Sequence, residues 1–189
     1  MAIIVREGYG QVEPNHLSGI VTGQIYAQLP AGNYNKVSEK FFPIKQLEQG
    51  QFLKYDYANG CCGFNGDGEF MLVYCEEKLY DERFQMHKDF VLKAADFTDR
   101  RIYPRLIKTY VGDIITTNAF KEANTSNTAA VATDVEVDVG TYLQVDANTG
   151  FLDVAGTQSL ESLTGMVWKV VKIYEMPDGQ PGVKIQRVQ

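Results

Sequence analysis

Between Asp134 and Val188 the chain has a period of two, with turns spelled out in Asn, Asp, Gly and Pro, and this limits the folds open to it. Asp134, Glu136 and Asp138 alternate with Val135, Val137 and Val139, a spacing that puts carboxylates on one strand face and valines on the other. Thr141–Val145 and Phe151–Val154 flank Asp146-Ala147-Asn148-Thr149-Gly150, residues that tolerate the positive φ a hairpin needs. A second hairpin is predicted from Met166–Tyr174 through Pro177-Asp178-Gly179-Gln180-Pro181-Gly182 into Val183–Val188. Met166, Trp168 and Val170 share one face of it, so Trp168 is predicted to be buried.

Upstream, Gln51–Tyr57 and Glu69–Cys75 read as strands, the second buried, with a glycine-dense loop over residues 58–68 between them. Arg105–Tyr110 and Ile114–Asn118 continue the β pattern, and residues 119–133, rich in Ala, Asn, Thr and Ser, read as a mobile surface loop. Residues 82–97 fit two templates: Phe84, His87, Val91 and Ala94 are spaced for a helix, whereas Lys88–Leu92 suits a strand. The strand-rich surroundings favour strand. The fold class expected is mainly β with little helix: an antiparallel β-barrel or sandwich over residues 36–189, preceded by an extended arm over residues 1–35. In that arm Gly and Pro interrupt every run, and Ile3, Ile4, Val5, Tyr9, Leu17 and Ile20 need cover from the chain's own core or a neighbour. These six are the candidate partner-interface residues, and Ile3-Ile4-Val5 could add a strand to a neighbour's sheet edge.

A chain of 189 residues can bury a core without disulfides. Its net charge of −6 repels phosphate backbones, so direct nucleic-acid binding is not expected. Arg100, Arg101, Arg105 and Lys108 around Tyr103 read instead as a sheet edge or docking surface. The N-terminus lacks a basic leader and a long apolar run, and Phe70–Cys75 is too short to span a bilayer. Neither secretion nor a membrane is expected, and residence in a reducing cytoplasm fits.

Chemistry-bearing motifs are scarce. The chain lacks a Gly-x-Ser-x-Gly elbow, a phosphate-binding Gly-Lys loop and a His-Glu-x-x-His pair. His16 and His87, its two histidines, have no recognisable local partner, so no catalytic residue is assigned. Cys61, Cys62, Cys75 and His87 could supply four zinc ligands, but adjacent cysteines point apart, and free thiols account for them better. Asn65–Glu69 resembles the start of a calcium loop until Phe70 falls where glycine is needed; a tight turn explains it without an ion. No cofactor and no metal are expected. The acidic row at Asp134, Glu136 and Asp138 reads as a solvated strand face.

Val111–Asn118, the Ala/Thr loop, Val139–Asp146 with Gly150-Phe151-Leu152, and the closing Val170–Tyr174 and Gly182–Gln186 together resemble the head-decoration and minor structural proteins of tailed bacteriophages. Val12–Leu17 and Gly23-Gln24-Ile25 share the style less specifically. The resemblance implies a β-barrel virion protein, made in the host bacterial cytoplasm, that binds the outside of an icosahedral head. Its partners would be the major capsid protein, copies of itself, or both, in an oligomer or a lattice. Two readings from other classes stand beside it: a tail or baseplate component that binds a host-surface glycan through an aromatic platform, and an enzyme with an unrecognised site.

Overall fold

The structure is a computed structural model that describes residues 2–3, 10–18, 25–26, 29–74, 79–81, 86–88, 92–93, 101–120, 135–176 and 179–189. At 2–3, 25–26, 79–81, 86–88, 92–93 and 135–136 only the backbone is described. Strands are numbered in chain order. A six-stranded antiparallel sheet runs β17 (Leu152–Val154), β16 (Tyr142–Val145), β18 (Val167–Glu175), β19 (Pro181–Arg187), β14 (Ile114–Thr117), β2 (Val12–His16). A five-stranded sheet runs β3 (Ile25–Tyr26), β13 (Leu106–Ile107), β9 (Phe70–Val73), β7 (Phe52–Asp56), β8 (Cys61–Gly63).

The fold is mainly β and antiparallel, as the periodicity predicts, and its two open sheets make it a sandwich rather than a closed barrel. Register explains how the core is divided. Phe52 lies opposite Leu72, and both face the six-stranded sheet, where they pack with Leu143, Trp168, Val170 and Ile185. One residue along, Leu53 lies opposite Met71 and both face the other way, joining Tyr55, Val73, Leu106 and Leu47 in a second core. The five-stranded sheet is therefore buried on both faces. That is why Phe70–Val73 reads as a continuous apolar run and not as an alternation. Each large side chain fully buried this way contributes about 1.5–3 kcal/mol. A small third cluster of Ala155, Leu163 and Val167 lies against the 3-10 turn Leu160–Ser162.

Both predicted hairpins form. β16 and β17 pair through Leu143 with Val154 and Val145 with Leu152; β18 and β19 pair from Trp168 with Arg187 to Glu175 with Pro181. The first turn is tied down by Asp146, whose Oδ1 accepts from the Asn148 and Thr149 amides at 2.9 Å each. Gly150 there adopts φ 73°. A Cβ at Gly150 would come within 2.4 Å of the Phe52 carbonyl, so only glycine fits.

Three expectations need correction, at Val139 and in the two predicted loops. Val139 does not extend the valine face: it is 64% exposed, because the chain turns between Asp138 and Thr141, with the Thr141 amide bonded to the Asp138 carbonyl at 3.1 Å. The predicted loop at 58–68 contains β8, whose Cys61 and Cys62 are buried against the neighbouring strand. At the start of the predicted 119–133 loop, Ala119 and Phe120 are buried, and Phe120 bridges to Leu152; residues 121–133 lie outside the described residues. Within 76–98 the described backbone is strand, with β10 (Leu79–Asp81) paired to β11 (Met86–Lys88), and β12 (Leu92–Lys93) paired to β6 (Gln46–Leu47). The described parts of residues 1–35 pair with the chain's own strands. β1 (Ala2–Ile3) pairs with β15 (Val135–Glu136), β2 is an edge of the six-stranded sheet, and β4 (Gly32–Asn35) pairs with β5 (Lys40–Pro43).

Candidate functional site

Of the six residues expected at a partner interface, Leu17 is the one whose side chain is described, and it lies in the core. It is 3% exposed and belongs to the same buried cluster as Val12 and Ile115. Ile3 is described in its backbone alone, opposite Val135. Ile4, Val5, Tyr9 and Ile20 lie outside the described residues.

Exposed apolar side chains stand on the ribbon of β4 and β5. Asn35 Oδ1 accepts from the amides of Val37 and Ser38 at 2.9 and 3.1 Å, and Glu39 takes φ 51° to close the turn. At this tip Val37 is 96% exposed, and Phe42 on β5 is 52% exposed. Arg101 lies over the Phe41 ring at 4.6 Å, and Tyr103 is also exposed. Asn33-Tyr34-Asn35 before and Phe41-Phe42 after the five residues Lys36–Lys40 are the sequence signal for this hairpin, which is not among the predicted strands.

The basic stretch near Tyr103 is split among different jobs. Arg101 covers Phe41, while Lys108 lies 3.8 Å from Glu69 and over the Tyr110 ring at 5.6 Å. Arg100 lies outside the described residues. Glu69 also receives Nη2 of Arg187, whose Nη1 donates to both oxygens of Thr109 and whose Nε donates to the Gln189 carbonyl at 3.0 Å. One buried guanidinium thus ties the last strand to the residue before β9 and to the segment after β13. Nearby, buried Asp113 accepts from the Ser18 amide and hydroxyl at 3.0 and 2.7 Å and from the Tyr110 amide at 2.8 Å. These are structural clamps.

The thiols of Cys61 and Cys62 are buried and free of disulfides. Cys62 donates to the Leu29 carbonyl at 3.4 Å, and burial, with Cys61 beside it, pushes its pKa up to about 12. Burial, with Asp56 nearby, raises Cys61 as well. Cys75 and the His87 side chain are outside the described structure. Among the described residues no cluster of His, Cys, Asp and Glu could hold a metal ion. In the calcium-like stretch, Gly66 and Gly68 pack on the Tyr55 carbonyl while β9 begins at Phe70, so the chain extends where a calcium loop would bend.

At one mouth of the sandwich is a cleft of about 380 Å³ lined by Lys54, Glu69, Phe70, Gln144, Thr164 and Met166, among others. Lys54 lies opposite Phe70 in the β7–β9 register, with its Nζ 4.5 Å from the Phe70 ring centre. Gln144 Nε2 donates to the Thr164 carbonyl at 2.9 Å. The cleft needs both sheets to exist, so no local signal in the sequence marks it. Among the described residues, no helix is long and apolar enough to cross a membrane.

No protein-family model, curated protein or solved structure matches this chain.

Proposed function

We propose that this chain is a bacteriophage virion structural protein that decorates and stabilises the outer surface of an icosahedral head. The single observation that supports this most is the β4–β5 ribbon, whose hydrogen-bonded turn carries Val37 and whose second strand carries Phe42 into solvent. Exposed apolar groups on a fixed scaffold suit a protein–protein contact, because ordering the tip costs little further entropy on binding. The stretches that resemble phage head proteins fall largely in β14, β16, β18 and β19, neighbours in the six-stranded sheet, while the ribbon joins the five-stranded sheet through the bridge of Ala31 to Cys62. The partner is the major capsid protein, with copies of this chain repeating over the lattice.

The test is binding to purified heads that lack this protein, read by cryo-electron microscopy and by co-sedimentation. The native chain should occupy symmetry-related positions on the head with the ribbon against the capsid surface. Val37→Asp with Phe42→Ser should fold normally and lose occupancy. Density on the tail or baseplate, or full occupancy by the double variant, would overturn the proposal.

A further inference from the structure

We propose that the cleft at the mouth of the sandwich is a binding site for a carboxylate-bearing sugar, a uronic acid either free or as one residue of an acidic polysaccharide. This goes beyond the head-decoration reading and does not depend on it.

The first observation is an uncompensated cation. Glu69, the carboxylate in the lining, is already engaged by Arg187 and Lys108. Lys54 has no carboxylate partner among the described residues; its one contact is the Phe70 ring, at 4.5 Å. The ring fixes the ammonium over the cleft while leaving its hydrogen-bonding capacity open. A carboxylate is the group that completes it, through a charge-assisted hydrogen bond.

The second observation is the rest of the lining. Gln144 uses its amide nitrogen on Thr164, which leaves its amide oxygen without a partner among the described residues, and the Thr164 hydroxyl is also unpartnered there. A fixed acceptor and a free hydroxyl suit sugar hydroxyls, which both donate and accept. Val145, Met166 and Phe70 supply apolar surface for the C–H face of a pyranose ring. A simple inorganic anion would need the lysine and nothing else. The volume of about 380 Å³ lies at the lower end of the roughly 300–1,000 Å³ of small-molecule sites, room for one or two rings and not for a folded partner.

The third observation is rigidity. Lys54 and Phe70 sit on neighbouring strands in direct register, and Gln144 sits on β16, so the groups are placed before any ligand arrives.

The experiment titrates the full chain with galacturonic acid and its oligomers, followed by amide and side-chain NMR shifts, at fixed ionic strength. Galactose, acetate and inorganic phosphate are the controls. Shifts should centre on Lys54, Gln144 and Thr164, and galactose, lacking the carboxylate, should bind about tenfold or more weakly. Lys54→Met should remove the preference for the acid over the neutral sugar, with an unchanged melting temperature showing that it folds. Thr164→Val, at an exposed position, should weaken binding of the acid and the neutral sugar alike and leave the preference for the acid in place. Binding of the oligomer with no affinity for the monomer would still support the site, the polysaccharide being the source. The proposal is overturned if acetate or phosphate competes as well as the uronic acid, if galactose binds equally, if a polyanionic nucleic acid displaces the sugar at matched charge, or if no ligand shifts these residues.

Discussion

Phe52 and Trp168 meet across the two sheets with ring centres 5.9 Å apart and planes inclined at 52°. Each is fully buried, so this tilted contact joins β7 of one sheet to β18 of the other at the centre of the main core. Trp168→Ala should cost about 3–5 kcal/mol in denaturant unfolding. The indole Nε1 is buried without a hydrogen-bond partner among the described residues, so the ring's contribution comes from packing. Trp168→Phe should accordingly lose clearly less than Trp168→Ala, and equal losses would show that the ring's volume is not what the site requires.

The Arg187 clamp gives a graded expectation. Arg187→Met removes a 9%-exposed guanidinium with charge-assisted bonds to Glu69 and Thr109, and should cost about 1–3 kcal/mol. Lys108→Ala removes a cation that is 37% exposed and 3.8 Å from the same carboxylate, and should cost less than about 1 kcal/mol. Chemical denaturation of the two variants side by side reads the difference. A Lys108 variant as damaged as the Arg187 variant would contradict the division of roles.

Alkaline pH should expose the buried thiol. Cys62 is raised from 9.0 to about 12 in the folded chain, so between those values the unfolded chain releases a proton that the folded chain keeps. Stability from this group is intact below pH 9 and falls as pH rises towards 12. Comparing native protein with Cys62→Ala isolates it: the stability difference between them should shift in favour of the variant from pH 8 to pH 10.5. Site-resolved alkylation at pH 8 should leave Cys62 unmodified until the protein unfolds.

Two glycines separate backbone strain from steric exclusion. Gly140 has φ 97° with open space around the missing Cβ, whereas Gly150 has φ 73° and the Phe52 carbonyl 2.4 Å from that position. Gly140→Ala should cost about 1 kcal/mol and Gly150→Ala distinctly more, measured by thermal unfolding. Equal melting temperatures would rule out the close approach of the β16–β17 turn to β7.

Strand identity was legible locally wherever one face of a strand meets solvent or one turn sets the register. The Thr141–Val154 and Met166–Val188 hairpins follow from alternation and turn residues alone, and Trp168 follows from its place on that alternation. Alternation failed where its cause failed. The valine face stops at Val139, because the backbone turns there, and Cys61–Gly63 is a strand inside a glycine-rich stretch, because its pairing with Lys54–Asp56 supplies what its composition does not. Leu17 could not be sorted between core and interface, since an apolar residue in an irregular segment reads alike for both. Lys54, Glu69, Gln144 and Arg187 could not have been grouped from the sequence. They lie on different strands, and only the register of the sheets and the way the two sheets face each other bring their side chains to one end of the sandwich.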